Sequence, residues 1–164
     1  MPRPNLTRVP AYFHNYINQV EEDDFKLVLK NQLTSFLQFL KNIPENKRNF
    51  RYAEGKWSTK EVLQHIIDTE RIFTYRALCI ARKDATPLPG FDENEYAANV
   101  NVESRDWENM VAEFQAVRQS TILLFDSFNE EQLEATGITN GNSVYVLGIG
   151  FITAGHVTHH QKII

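Results

Sequence analysis

Apolar residues recur three and four positions apart through most of this 164-residue chain, and helix-breaking residues gather in only a few places. A chain patterned this way, with few of the alternations that mark a half-buried strand, has to bury helices against helices. After a short piece from Tyr12 to Val20, the residues Phe25, Val28, Leu29, Leu33, Phe36, Leu37 and Leu40 trace a first long helix, which Pro44 stops. Ser58-Thr59-Lys60-Glu61 is a capping box for a second helix, which carries Val62, Leu63, Ile66, Ile67, Ile72, Phe73, Ala77 and Ile80 up to the breaker Thr86-Pro87-Leu88-Pro89-Gly90. Ser104 is placed to cap a third, with Trp107, Met110, Val111, Phe114 and Val117 on its apolar face. A second capping box, Asn129-Glu130-Glu131-Gln132, starts a short helix. Past the flexible turn Thr139-Asn140-Gly141-Asn142, Ser143 is placed to cap a fourth long helix, apolar almost all round its first half and so the most buried of the four.

Four long helices in a chain of this length predict an all-α four-helix bundle, one domain over residues 1–164, with a long crossover between helices two and three. The crossover, through Phe91 and Tyr96 to Val102, exceeds what a helix-to-helix turn needs. Such a segment either covers a site or runs the length of the bundle.

The remaining composition narrows the partners. A formal net charge of -4 gives no general attraction to phosphate backbones, so nucleic acid is not expected. The basic residues Lys41, Lys47, Arg48 and Arg51 have Glu45 and Glu54 among them and read as a solvated surface. With Cys79 as the single cysteine, neither an intrachain disulfide nor a cysteine-rich metal motif is available. The opening residues carry no apolar secretory stretch, and the longest apolar run, Val144 to Gly155, falls short of the ~20 residues that span a bilayer. A cytoplasmic protein without membrane contact is the expectation.

Within the bundle, the histidines are the chemically unusual residues. His156 and His160 stand one turn apart on one helix face, and Ile149 and Ile163 lie within about 20° of His156 on a helical wheel, so this imidazole points along an apolar stripe. Buried imidazoles need compensation, each unpaired polar group costing roughly 1 to 3 kcal/mol, and a shared metal supplies it. His159 competes with His160 for the second place, at about 60° from His156 against about 40°. His65, flanked by Val62, Thr69 and Ile72 on helix two, can bring a third imidazole from a second helix. His14 has no partner at ligand spacing and reads as surface.

The segment Trp57-Ser58-Thr59-Lys60-Glu61-Val62-Leu63-Gln64-His65, its continuation through Asp68-Thr69-Glu70-Arg71 to Tyr75-Arg76, and the terminal Gly155-His156-Val157-Thr158-His159-His160 together resemble the DinB-like superfamily. Helix order, the long loop after helix two and the place of the last histidine pair match as well, so the resemblance covers essentially the whole chain. It implies a four-helix bundle in which three histidines bind zinc or nickel, one from helix two and two, four residues apart, from the last helix. Carried over by position, these are His65, His156 and His160, which settles the choice against His159. A homodimer is implied too.

Three neutral imidazoles on a zinc-like ion leave a position open for water or substrate, the arrangement of a catalytic site. The resemblance implies two reactions on a small-molecule substrate: S-transfer with a low-molecular-weight thiol, or metal-dependent hydrolysis with activated water as nucleophile. A non-catalytic metal-binding stress protein is the alternative from another class. Glu61, Asp68 and Glu70 are candidates for a nearby acid or base, or for orienting a ligand imidazole. Each also has a structural explanation, Glu61 in its capping box, Asp68 and Glu70 paired with Arg71 or Arg76 on a solvated face. Trp57, Phe91 and Tyr96 could line a pocket mouth or fill the core.

Overall fold

In the computed structural model, which describes residues 3–164, four long helices dominate: α2 (Phe25–Lys41), α4 (Thr59–Ala81), α6 (Trp107–Asp126) and α8 (Val146–Gln161). Between and before them lie α1 (His14–Ile17), α3 (Glu45–Arg48), α5 (Glu93–Asn99), α7 (Glu130–Glu134) and a hairpin of β1 (Thr136–Thr139) and β2 (Asn142–Tyr145). Both capping boxes form: Ser58 with Glu61 opens α4, and Asn129 with Gln132 opens α7.

Two expected caps fall elsewhere. Helix α6 is capped by Asp106, whose carboxylate accepts from the Asn109 N–H at 2.9 Å, while Ser104 sits in the preceding turn. An ionised cap this close to the helix N-terminus also meets the positive end of its dipole. Ser143 does not cap α8 but pairs with Ile138 in the hairpin. The turn residues Asn140 and Gly141 both have positive φ, 49° and 71°, as a two-residue hairpin turn of the primed kind requires. Helix α8 starts three residues after Ser143 without a side-chain cap, and the Val146 N–H donates to the Ala135 carbonyl instead.

Contacts between the long helices fix their directions. Phe25 meets Phe125 and Phe36 meets Phe114, so α2 and α6 run antiparallel. Arg105 reaches Gln64 and Arg118 reaches Glu70, so α6 runs parallel to α4. The bundle is therefore up, down, down, up, and the chain leaving α4 must travel back to the bundle's other end before α6 can begin. This is why the crossover is long. It is pinned on the way, where Leu88 exchanges hydrogen bonds with Ile138 and Asn140 of the hairpin.

A polar layer crosses the middle of the bundle. Arg118, fully buried, donates from Nε and Nη2 to the two oxygens of Glu70 at 2.8 Å and from Nη1 to Gln32 at 2.7 Å. Gln32 in turn donates to the Ala154 carbonyl and the Thr158 hydroxyl, so one network touches all four long helices. Apolar clusters fill the bundle on either side of it, one around Phe25, Phe125 and Phe151, the other around Phe36, Leu63 and Phe114. Among the described residues no helix is long and apolar enough to cross a membrane.

Candidate metal centre

Helix α8 is buried along most of its length and carries His156 and His160 on the side that meets α4. His65, in the second turn of α4, comes from the opposite wall. All three are buried, and one nitrogen from each lies within 4.8 Å of the others. The Nε2 atoms of His65 and His156 are 3.0 Å apart. Two nitrogens each about 2.1 Å from a tetrahedral ion stand about 3.4 Å apart, so the pair lies within a few tenths of an ångström of coordination spacing.

The third imidazole provides the sharper test of fit. Both nitrogens of His160 are buried and without a hydrogen-bond partner among the described residues. An ion at the convergence point would satisfy one of them. Burial also keeps the lone pairs available: it pushes the His65 imidazole down to about 4 and the His160 imidazole down to about 3, and His156, enclosed completely, lies well below its ordinary value. The positive charges that neighbouring histidines could carry lower each of them further. Neutral imidazoles are the ligating form. The donor set, three nitrogens and no thiolate, suits zinc, nickel and copper.

One supporting contact orients a member of the triad. Thr69, one turn after His65 on α4, places its hydroxyl 3.4 Å from the Nδ1 of His65. If Nδ1 carries the proton toward Thr69, Nε2 presents its lone pair inward. None of the carboxylates singled out in the sequence does this. Glu61 stays in its capping box and pairs with Arg51; burial alone would raise it, but its hydrogen bonds with Arg51 and Ser58 hold it low. Asp68 accepts from Gln64 and lies 3.7 Å from Arg71. Glu70 is not on a solvated face but is locked onto Arg118 in the core.

His159 turns away from the triad, its Nδ1 3.3 Å from the Gln19 side chain and its ring edge against Tyr16. His14 is not incidental either: its Nε2 lies 3.0 Å from both the Leu6 and Val9 carbonyls, tying down the N-terminal segment.

That segment forms one wall of a cleft of about 270 Å³ that opens onto His65 and His156. Tyr16 lies edge-on to the His156 ring at 5.3 Å, and its backbone carbonyl sits where a Cβ on residue 155 would be, only 1.9 Å away, so Gly155 is what lets the segment lie against α8. Burial, and next the nearby Glu93 carboxylate, push the Tyr16 hydroxyl up. The crossover supplies the facing wall through Phe91 and Glu93. It both runs the length of the bundle and covers the site. Trp57 packs 4.8 Å from the His65 ring and, with Asn94, lines a second opening at His160, while Tyr96 lies against Phe91. Each of the three aromatic candidates thus borders a cavity at or beside the triad.

The sequence reading gave no place in the site to Thr69, Arg76, Tyr16 or Glu93. Thr69 and Arg76 had a readable signal, since positions four and eleven beyond His65 return to about the same helix face. Tyr16 and Glu93 had none, because their places depend on how the N-terminal segment and the crossover fold back.

A family model described as the DinB superfamily matches residues 28–164. No curated protein matches the chain. Among solved structures, YfiT from Bacillus subtilis, described as a probable metal-dependent hydrolase with an unusual four-helix bundle topology, has a similar fold, with a TM-score of 0.73 at 15% identity over 85% of this chain and 81% of that one.

Proposed function

The chain belongs to the DinB superfamily, and on that premise we propose that His65, His156 and His160 bind one divalent ion, zinc or nickel, in an enzyme that transfers groups to a low-molecular-weight thiol. The observation that carries the reading is the convergence of three buried, neutral imidazoles, one with both nitrogens unpartnered, beside an open cleft. A divalent ion on three neutral ligands keeps its full charge and a free position, which would lower the pKa of a thiol placed there and hold it as the nucleophilic thiolate.

The protein's own part is positioning and enclosure. Thr69, 3.4 Å from the His65 Nδ1, is placed to favour one ring orientation, Tyr16 and Phe73 pack edge-on against His156, and the aromatic walls limit the water that reaches the nucleophile. A homodimer and a small-molecule substrate belong to the same reading, and sedimentation of the purified protein checks the first.

Hydrolysis is the second reading, favoured by the likeness to YfiT and by Glu93, a carboxylate lining the cleft beside His65 that can accept a proton from attacking water. Elemental analysis of the purified protein should find about one zinc or nickel per chain, lost in His160→Ala and kept in His159→Ala. The opposite pattern would overturn the ligand set. The metal-loaded protein is then assayed with an electrophilic aryl halide and a panel of thiols, against ester and amide substrates. Thiol-dependent turnover supports S-transfer, ester or amide turnover alone replaces it with hydrolysis, and neither, with metal bound, leaves a metal-binding protein without catalysis.

A further inference from the structure

The cleft holds a cation that the metal centre does not use. Arg76 is 5% exposed, yet among the described residues only its Nη2 has an acceptor, the Pro89 carbonyl at 2.7 Å, and no carboxylate lies within ion-pairing distance. The other deeply buried arginine, Arg118, is by contrast met by both oxygens of Glu70 and by Gln32. With one of its five donors engaged, this largely buried guanidinium leaves the others facing the cleft, where an arriving anion would meet them. The walls around it are aromatic, with Phe13 and Phe73 on one side and the Phe91 ring centre 5.9 Å from the guanidinium carbon.

Arg76 and His65 stand on nearly one face of α4, eleven residues or about 16 Å of helix rise apart, so the cleft runs along the helix from a cation to the imidazoles. Glu93, the carboxylate that lines it, also borders a small cavity with His65, which places the negative charge at the triad end. The volume, about 270 Å³, is just below the range of small-molecule sites, which starts at about 300 Å³, so a slender ligand is what it fits.

We propose that the cleft binds an elongated, largely apolar or aromatic carboxylic acid, its carboxylate on Arg76 and its far end at the triad. This rests on the triad being the reaction centre. A planar guanidinium meets a carboxylate through two parallel hydrogen bonds, which a neutral amide cannot reproduce.

The test is calorimetric titration of the whole protein with phenylacetate, 3-phenylpropionate and hexanoate, each against its amide, in metal-free and metal-loaded form. At least one acid should bind the metal-free protein tenfold or more tighter than its amide, and that ratio should fall below twofold in Arg76→Gln, with Arg76→Lys in between. Arg76→Lys keeps the charge but not the two-pronged geometry, and it serves if Arg76→Gln does not fold. The proposal is overturned if no acid is preferred, if the preference survives Arg76→Gln, or if Arg76→Lys leaves it at the wild-type ratio. A preference seen only with metal loaded would put the carboxylate on the ion, which sinks this inference and leaves the metal centre standing. A preference in a protein that takes up no metal sinks the metal centre and keeps the acid site.

Discussion

A buried imidazole with neither nitrogen satisfied is a liability in the metal-free protein, and His160 is that residue. Replacing a buried unpaired polar group with an apolar one of similar size is close to neutral or stabilising. His160→Leu should therefore melt at or above the wild type in chelator, while lacking the rise in melting temperature that zinc or nickel should give the wild type. Thermal denaturation with and without metal checks both halves. Acid has a separate effect. His65 and His160 titrate lower in the folded state, at about 4 and about 3, than the ordinary ~6.5 of the unfolded chain, so between those limits the unfolded state binds more protons. Their contribution to stability is complete above pH ~6.5 and is lost as pH falls toward the folded values. The metal-free protein should melt roughly 5–15 °C lower at pH 5 than at pH 7, and the triple Leu variant at 65, 156 and 160 should lose most of that slope. At this scale the spacing of His156 and His160 was plain in the sequence, but periodicity alone left His159 nearly as good a candidate. What separates them is Gln19 and Tyr16, which occupy His159 from a part of the chain that the helical wheel does not see.

Helices are joined across the middle of the bundle by the Glu70, Arg118 and Gln32 network, and its two charges depend on each other. Arg118→Met strands the Glu70 carboxylate in the core and should cost about 3–5 kcal/mol, whereas Arg118→Met with Glu70→Leu should recover most of that loss. Urea denaturation of the single and double variants measures it, and a double variant no better than the single would show that the layer is held by something else. Gly155→Ala puts a methyl group into the Tyr16 carbonyl, so the N-terminal segment must lift from α8. The expected signs are a loss of about 1–3 kcal/mol and faster proteolysis within residues 3–24, with α8 itself still helical. Both capping boxes were legible because each is a four-residue pattern with its own local hydrogen bonds. The hairpin carried a signal of the same kind, Asn140-Gly141 between β-branched residues, yet the apolar run that follows favours an earlier helix start at Ser143. The pairing of Glu70 with Arg118 was not legible, since it joins helices 48 residues apart and nearer arginines offered equally reasonable partners.

For the molecule as a whole, the number of long helices and the length of the crossover could be read from the sequence, but the order of directions could not. A hydrophobic stripe says which side of a helix is covered and nothing about which neighbour covers it. The up, down, down, up arrangement follows from cross-helix contacts such as Phe36 with Phe114 and Arg118 with Glu70. It also sets a schedule for biogenesis. His65 and His156 are separated by 91 residues, and α8 supplies two of the three imidazoles as well as the surface on which the N-terminal segment rests. A ribosome that has finished α2, α4 and α6 has made three walls of the bundle and one of the three imidazoles. An ion held by all three imidazoles could be taken up only once residue 160 has emerged, and the segment around Tyr16 is without the helix it packs on until then. On the function proposed above, a bound ion would be a record that translation had reached the end of α8.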